Sequence, residues 1–460
     1  MPSTVFDSAI FRDAFGAPAM RVIFGDEAMI GRYVEVEVAL AAAEASVGAI
    51  PKDAARTIKK MARADTIDME KLKAETDLVG YPIVGIVHEL AKQCGEAGRY
   101  IHWGATTQDI MDTATVLQVR DALALVDADL AAIATALAAL ATKHRDTVMA
   151  GRTHLQHALP VTFGYKAAVW LGMVERHRQR LKELKPRVLV GQFAGAAGTL
   201  ASLGDKGLVV HDALMAQLGL GRPPTPWHVA RDNLAETVSL LGLVTGTLAK
   251  VATDVMLLMQ TEVGEALEPF VAGRGSSSTM PQKRNPISCE LILALAKVVR
   301  QHAGLMLDAM AADHERATGP WHLEWVAIPE AFIAASGALR HARFLLEGLI
   351  VEPERMRRNL AITGGLIVAE AVMMALAKHT GRQHAHDLVY GACRSALENG
   401  ATLLAELERL PEVTKHLKPP RLRELTDPAN YLGSAPAMVD RALKERRGAD
   451  RGAAARRRRT

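Results

Sequence analysis

Apolar residues recur at helical spacing along most of the chain, and one segment shows this most clearly. After Asp109, aliphatic residues follow one another at alternating intervals of three and four: Val116, Val119, Leu123, Val126, Leu130, Ile133, Leu137 and Leu140. This 3.5-residue period predicts a single helix of about 35 residues, roughly 50 Å long. A helix with such a continuous apolar seam needs long neighbours to cover it.

Other apolar stretches predict those neighbours. They cover residues 160–185, 233–261, 287–310 and 328–349, and an amphipathic helix is expected at 27–47. The first of them begins at a proline that suits a first helical turn. Strand signals are poor, because no alternating run of β-branched residues is bounded by hairpin turns. We therefore predict an all-α protein built around a bundle of five long helices.

Glycine-rich and proline-rich segments divide this pattern into regions. Short helices precede the heptad helix, and prolines punctuate the chain after position 353. We predict an N-terminal helical domain at 1–108, a central long-helix bundle at 109–355, a small C-terminal helical domain at 356–445 and a disordered basic tail at 446–460.

The charge is distributed unevenly along the 460 residues. The formal net charge is +4, but residues 444–460 hold eight basic side chains against two acidic ones, so the remainder is slightly acidic. Basic residues without interleaved aromatics disfavour a nucleic-acid partner. Three dispersed cysteines support neither a disulfide framework nor a zinc site. Without a signal peptide or a run of about 18 apolar residues, we expect a soluble, cytoplasmic protein and no membrane partner.

Polar segments interrupt this aliphatic chain at three places, each next to a predicted long helix. They are HWGATTQD at 102–109, GRTHLQH at 151–157 and GSSSTMPQKRNP at 275–286. Hydroxyls and free backbone N–H groups at the start of a helix serve either as caps or as a carboxylate site. For Thr106 and Thr107 both interpretations stay open.

The second and third segments carry ionisable side chains. His154 follows a threonine at an expected helix entry, where it suits proton transfer near neutral pH, although a lone histidine is usually structural. Since His154 and His157 have no further ligand nearby, no metal site is expected. A Gly/Ser run is usually a flexible linker. Here it includes Lys283, Arg284 and Asn285 and leads into an apolar helix, which indicates an anion-binding lid.

The third segment resembles the signature loop of the aspartase/fumarase superfamily, whose usual form is GSSxMPxKxN. GATTQDIMDTA and GRTHLQHALPVTFG resemble the other two shared regions, in the same order, and the resemblance covers roughly residues 15 to 445. At Ser276 this chain departs from the usual glycine. We expect that difference to change the flexibility of the loop and to leave activity intact.

The resemblance implies a three-domain all-α fold whose central helices form a 20-helix core in a homotetramer, with active sites shared by three subunits. Members use no cofactor. They eliminate a group β to a carboxylate of a small polycarboxylate through an aci-carboxylate intermediate, often releasing fumarate. By motif position, Ser277 is the general base and His154 lies beside the leaving group or a substrate carboxylate. The resemblance implies that the substrate is bound by Thr106, Thr107, Thr153, Lys283 and Asn285.

Two further strings bear on the branch of the superfamily. PWHVARD at 226–232 and HERATGPWHLEW at 314–325 resemble the bacterial 3-carboxy-cis,cis-muconate cycloisomerases, or else reflect packing of tryptophans and charges alone. Adenylosuccinate lyases usually carry a serine-rich, phosphate-binding stretch in place of GPWHLEW, so that activity is disfavoured. The bacterial cycloisomerases are expected to have tryptophan at the position of His154, whereas histidine is typical of the lyases.

These resemblances lead to one expected function and one alternative. We expect a lyase that breaks a C–N or C–O bond in a substituted succinate, with the lactonizing cycloisomerase as the alternative. An inactive, crystallin-like scaffold is disfavoured because Ser277, Lys283, Asn285 and His154 occur together.

Overall fold

Helices make up most of the backbone in the computed structural model, which describes residues 4–457, with side chains through residue 448. The predicted all-α fold class is confirmed. The chain divides into two compact units. Unit 1 contains the residues up to Leu130, His177–Ala249 and Leu291–His341, and unit 2 contains Ala131–Arg176, Lys250–Glu290 and the residues from Ala342 onward.

Short helices and one longer helix form the N-terminal part of unit 1. They are α1 (Arg12–Phe15), α2 (Pro18–Phe24), α3 (Asp26–Ser46), α4 (Lys52–Met61), α5 (Met69–Val79) and α6 (Ile83–Cys94). Helix α3 matches the amphipathic helix predicted at 27–47. Helix α5 illustrates how the sequence sets the ends: the Asp68 carboxylate accepts from two backbone N–H groups of its first turn, and Gly80 ends it at φ 89°.

Five long helices follow, with a shorter one among them: α7 (Thr107–Lys143), α8 (Phe163–Val188), α9 (Gly207–Leu218), α10 (Asp232–Met259), α11 (Ile287–Ala309) and α12 (Pro320–Glu347). The heptad positions of α7 from Val116 to Leu137 are at most 1% exposed, so the apolar seam is a core. Both the single long helix and the five-helix count predicted from the apolar pattern match these residues.

Each long helix begins in one unit and ends in the other. The boundaries between the two units therefore fall inside helices, whereas the domain boundaries predicted from the sequence fall between helices. The predicted domains at 1–108, 109–355 and 356–445 stay a prediction.

A β-hairpin occupies the place where the sequence predicts the start of a helix. Strand β1 (Val148–Thr153) pairs antiparallel with β2 (Gln156–Thr162), and Pro160 lies opposite Ala150. The prediction of a helix from Pro160 was wrong: α8 starts at Phe163. A proline is tolerated in a two-stranded ribbon because only one edge of each strand is paired. Helix ends also differ at α12, which starts before position 328 and contains Pro329.

The C-terminal part of unit 2 contains the shorter helices α13 (Pro353–Leu360), α14 (Ala369–Thr380), α15 (Arg382–Asn399), α16 (Leu403–Glu408), α17 (Pro411–Thr414) and α18 (Pro419–Leu425), and ends in the 23-residue helix α19 (Ala435–Arg457). Strands β3 (Ala266–Leu267) and β4 (Ile350–Val351) form a second small pair. Helix α19 covers most of the tail for which the sequence predicts disorder, since alanine and arginine favour helix even without apolar periodicity. Residues 458–460 lie outside the described residues.

Two helices are unusually apolar. By length and composition alone, α7 and α10 could each cross a membrane, with 18-residue windows of mean hydropathy 1.9 and 1.5. The bent pair Pro353–Thr363 and Leu366–Thr380 also meets that criterion if it is counted as one span. Only 39% and 44% of the windows in α7 and α10 is buried within the chain. The buried heptad seam of α7 indicates a bundle helix whose remaining apolar surface is available to further helices.

The carboxyl group of Glu44 is a buried acid on α3. Glu44 is 0% exposed, and neither carboxyl oxygen has a hydrogen-bond partner within the described residues. Burial, reinforced by the nearby Glu37 carboxylate, raises the pKa of Glu44 to about 9. The unfolded chain releases this proton near pH ~4.3, so the folded state loses stability as the pH rises from there towards the folded-state pKa.

We expect the Glu44→Gln variant to abolish this fall in stability with rising pH. For the parent chain, the free energy of unfolding should fall by roughly 1.4 kcal/mol per pH unit through this group, or about 2 kcal/mol between about pH 6 and 7.5. Urea unfolding at fixed protein concentration measures the slope. Glu27→Gln, at an exposed position of the same helix, should keep the parent slope. An unchanged slope in Glu44→Gln would mean that Glu44 is ionised in the folded protein.

Candidate active site

The N-terminus of α7 presents the threonines of the first polar segment. The Thr106 N–H donates to Oδ2 of Asp109 at 3.0 Å, and the Asp109 N–H donates to the Thr106 carbonyl at 2.9 Å. Such reciprocal bonds close a first helical turn. The hydroxyls of Thr106 and Thr107 are half-buried and have no hydrogen-bond partner within residues 4–448. They lie free beside the positive end of a long helix, where a carboxylate is stabilised.

Asp109 fixes this turn against two other segments of unit 1. Its carboxylate is 0% exposed and accepts from the backbone N–H groups of Ala194 and Gly195, both at 2.9 Å. Nε2 of His228 lies 2.8 Å from its Oδ1. A buried carboxylate is stable only with such donors around it, and these hydrogen bonds hold the turn bearing the threonines against both segments. The sequence gave no sign of these partners of Asp109.

His102 anchors the loop that leads into α7. Its Nδ1 lies 2.7 Å from one oxygen of Glu37, and its backbone N–H donates to the other at 3.1 Å. Burial opposes a charge on the ring, but Glu37, with Asp109 further away, raises the pKa of His102 above its ordinary value. The loop is therefore held by a buried acid from α3 that local sequence reasoning missed.

The second polar segment forms the tip of the β1–β2 hairpin in unit 2. Thr153 pairs with Gln156, which leaves His154 and Leu155 as a two-residue turn with φ of 50° and 63°. Turns of this kind usually contain Asn or Gly, because other residues are strained at positive φ. Thr153, His154 and Leu155 are all exposed. The turn therefore exposes a threonine and a histidine at the hairpin tip, where the sequence predicted a helix entry.

The strand next to the hairpin tip is held at Arg152 by buried polar side chains. Arg152 donates two hydrogen bonds to the fully buried Glu265 carboxylate, at 2.9 and 2.7 Å. Nδ2 of Asn359 donates to Glu265 at 2.7 Å. This arrangement fixes β1 one residue before Thr153. Glu265 lies 113 residues from Arg152 and 94 residues from Asn359 in the sequence, so no local signal could have paired them.

A cavity of about 400 Å³ lies beside the hairpin tip and is lined by Arg152, His154, Lys166 and Asp254, among others. Burial lowers the pKa of Lys166, while Asp254 opposes that shift. Lys166 was missed in the sequence analysis, although a lysine within the apolar helix GYKAAVW is a usable signal. Arg152 is paired with Glu265, and the Lys166 ammonium lies 3.8 Å from Asp254, so the cavity combines basic and acidic side chains beside His154.

The third polar segment is a loop closed at its base. The Asn285 N–H donates to the Gly275 carbonyl at 3.0 Å, and Ser276 and Arg284 form a β-bridge. Gly275 has φ 71°, and a Cβ there would lie 2.6 Å from the Asn285 carbonyl oxygen, so only glycine fits. Lys283 is exposed and Asn285 is half-buried. Neither side chain has a hydrogen-bond partner in the described part of the chain.

Ser277 lies within this loop in a defined geometry. Its Oγ accepts hydrogen bonds from the backbone N–H groups of Met280 at 3.1 Å and Thr279 at 3.3 Å. Two N–H donors orient the hydroxyl and favour negative charge on its oxygen. The serine is half-buried, whereas the next residue, Ser278, is exposed.

The structure thus brings the seven predicted site residues together in groups. Ser277, Lys283 and Asn285 share one loop, and Thr153 and His154 share one hairpin tip, both in unit 2. Within the described residues no hydrogen bond joins that loop to that tip. The remaining pair, Thr106 and Thr107, belongs to unit 1. Residues 4–448 contain no group of three or more His, Cys, Asp or Glu side chains arranged to hold a metal ion.

The two tryptophan-containing strings meet in a buried ion network of unit 1. Arg231 donates to Asp112 at 2.7 and 2.9 Å and to Glu324 at 2.8 Å, and all three side chains are at most 3% exposed. Trp227 stacks under the Arg231 guanidinium at 4.8 Å, and Nε1 of Trp321 donates to Asp112 at 3.1 Å. Residues from both strings therefore pack with one another, which agrees with the packing interpretation of these strings.

Comparison with known proteins places the chain among lyases. Residues 13–300 match the family model described as lyase, and residues 365–442 match the model described as adenylosuccinate lyase C-terminus. The crystal structure of fumarate lyase from Mesorhizobium sp. BNC1 superposes with a TM-score of 0.88 and 58% sequence identity, and covers 94% of this chain and 98% of that one.

Two curated relatives extend over nearly the same length. The chain is 49% identical to trans-aconitate decarboxylase 1 of Mycosarcoma maydis, over 96% of its own length and 90% of the relative. It is 48% identical to 3-carboxy-cis,cis-muconate cycloisomerase of Pseudomonas aeruginosa, over 96% and 97%. Together with the signature loop at 275–286, these matches show that the chain belongs to the aspartase/fumarase superfamily, as a lyase or a closely related cycloisomerase.

Proposed function

We propose that this protein catalyses an anti β-elimination that breaks a C–N or C–O bond in a substituted succinate and releases fumarate. The observation that carries the proposal is a set of hydrogen-bond donors without internal partners on the three shared segments. Within the described residues, no hydrogen-bond partner is found for the side chains of Thr106, Thr107, Thr153, Lys283 and Asn285. Donors of this kind are suited to a substrate with several carboxylates.

The chemistry needs such donors. Removing a proton from the carbon next to a carboxylate places a second negative charge on that group and gives an aci-carboxylate. Preorganised donors that meet this charge typically contribute about 3 kcal/mol each to transition-state stabilisation. We assign this role to Lys283 and Asn285 on the loop and to Thr106 and Thr107 at the positive end of α7, with a further hydrogen bond from Thr153.

We assign proton removal to Ser277. A serine hydroxyl is a poor base in water and needs a cationic, water-excluded setting. The two backbone N–H groups that donate to its Oγ favour the alkoxide, and Lys283 on the same loop adds positive charge when the loop covers substrate. His154 is placed beside the leaving group or a substrate carboxylate, where an imidazole can give or take a proton near neutral pH.

The proposal includes a homotetramer in which three subunits complete each site. Its support is the exposure of the hairpin tip and of Lys283, together with the incomplete burial of α7 and α10. On α10, Leu243 is 54% exposed and Leu257 is 37% exposed, two heptads apart on one face. That face is available to a neighbouring helix. We propose a cytoplasmic location for the enzyme.

One alternative activity is favoured by a specific observation. The 48% identity to a 3-carboxy-cis,cis-muconate cycloisomerase supports lactonization, in which the same base and donors act on an intramolecular addition. The histidine at position 154 favours the lyase. Adenylosuccinate lyase activity stays disfavoured, since the match to that family's C-terminal region covers only residues 365–442, which contain none of the proposed site residues.

A substrate panel tests these assignments. We expect an increase in absorbance near 240 nm, due to fumarate, with at least one of aspartate, argininosuccinate, adenylosuccinate and other N- or O-substituted succinates. Loss of carboxymuconate absorbance, followed in parallel, reports lactonization. Carbon dioxide release from trans-aconitate is the third arm. Lactonization or decarboxylation without fumarate release from any succinate would overturn the proposed elimination.

A further inference from the structure

Unit 1 contains a cavity of about 360 Å³ that differs in chemistry from the candidate active site. It is lined by residues of α2, α3, α5, α7 and α12, and none of the seven proposed site residues contributes to it. Much of its wall is apolar, including Phe24, Ile30, Leu72 and the flexible side chains of Met29 and Met111. Such a wall accommodates an organic body of variable shape.

Aromatic rings form part of the cavity wall. Trp321 and Trp325 meet edge to face, with ring centroids 5.1 Å apart and an interplanar angle of 78°. Tyr81 stacks on Trp321 at 5.7 Å and meets Trp325 edge to face at 6.0 Å, which fixes both indole rings. The face of an indole ring is the strongest aromatic partner for a cation. Trp325 is 36% exposed, so its ring is accessible to a ligand.

The charges around this cavity are predominantly negative. Asp112 and Glu324 line it, and one guanidinium, that of Arg231, serves both carboxylates. Asp26 also lines it and has no ion-pair partner within the described residues. Lys73 is the one lysine or arginine among the described residues that line the cavity. Its ammonium group already forms a salt bridge with the carboxylate of Asp77. A polycarboxylate would be repelled here, whereas a cation would be attracted.

The hydroxyl of Tyr33 supplies a further polar group. Tyr33 is 4% exposed, lines the cavity and has no hydrogen-bond partner in the part of the chain that the structure describes. Burial, with Asp112 and Asp26 nearby, raises its pKa, so the phenol stays protonated. The Tyr33 hydroxyl is therefore available to a ligand or to water in the cavity.

We propose that this cavity is a second ligand site, one that binds a small organic cation with an apolar body, such as an alkylammonium or quaternary ammonium ion. Aromatic faces, an excess of carboxylates and a free phenol are the groups that recognise such an ion. The proposal does not depend on the proposed elimination, because binding is measured without turnover.

The proposal is tested by isothermal titration calorimetry. The full-length protein is titrated with three probes of similar shape that differ in charge. Choline carries a positive charge, 3,3-dimethylbutan-1-ol is its neutral carbon isostere, and 3,3-dimethylbutanoate is an anion of similar body. We expect choline to bind at least about tenfold more tightly than the alcohol, and the anion to bind most weakly. Equal affinity for choline and the alcohol, or no binding of choline, would overturn the proposal.

Two variants connect that binding to the cavity. Trp325→Leu keeps an apolar wall and removes the aromatic face, and Asp26→Asn removes an exposed carboxylate at the cavity lining. Each should weaken choline binding by about tenfold and leave binding of the alcohol nearly unchanged. Trp103→Leu, which removes an exposed tryptophan elsewhere in unit 1, should bind choline like the parent chain. If both cavity variants bind choline like the parent, the cavity is not the cation site.

Discussion

Replacing Ser277 by alanine is expected to lower kcat by about 10²- to 10⁴-fold, the contribution of a positioned base. The substitution removes one oxygen and keeps the small side-chain volume. The base is lost while Lys283 and Asn285 stay on the loop, so KM should change far less than kcat. Turnover of whichever panel substrate proves active measures the loss, and light scattering checks that the assembly is unchanged.

The matched control is Ser278→Ala on the same loop. Ser278 is exposed and its side chain has no hydrogen-bond partner within the described residues, so turnover should stay near that of the parent. If Ser277→Ala turns over near normally, the assignment of the base fails. If both variants lose activity equally, the loop acts through its conformation and not through one hydroxyl.

Replacing Arg231 by methionine should have the largest effect on stability. The variant leaves two carboxylates, Asp112 and Glu324, buried at 2% and 3% exposure with no cation between them. Breaking a buried ion pair by removing one partner typically costs about 3–5 kcal/mol, because the remaining charge is uncompensated. Urea unfolding at fixed protein concentration should show this loss.

Two further variants separate charge from packing. Arg187→Met removes an exposed arginine near α10 that is paired with Glu236, and surface pairs of this kind contribute roughly 0–1 kcal/mol. Adding Asp112→Asn and Glu324→Gln to Arg231→Met should recover part of the lost stability, since the buried charges are then gone. A loss below about 1 kcal/mol in Arg231→Met would contradict the uncompensated-charge explanation.

The long helices could be predicted because their determinants are local. The heptad repeat from Val116 to Leu140 specifies length, orientation of the apolar face and the need for neighbours within one stretch of sequence. The hairpin at 148–162 could not be predicted in this way. Its turn, His154–Leu155, lacks Asn or Gly, and its second strand contains Pro160, so pairing with the adjacent strand outweighs the local preferences.

The same difference between local and distant determinants applies to the candidate site. Each of its three segments is visible in the sequence because polar and glycine residues interrupt aliphatic helices. The side chains that hold those segments are not visible, since Glu37, His228, Glu265 and Asn359 come from distant parts of the chain. Only folding brings these partners to Asp109, His102 and Arg152.

The partial burial of α7 and α10 has a consequence for biosynthesis. A newly released chain presents two helices of nearly membrane-like composition with less than half of each apolar window covered. Until partner helices of the proposed tetramer cover them, these apolar faces favour non-specific association. Non-specific association then competes with tetramer assembly, and it increases as the concentration of unassembled chains rises. Slow synthesis, or co-translational meeting of subunits, therefore favours the soluble product in a cell that makes this enzyme.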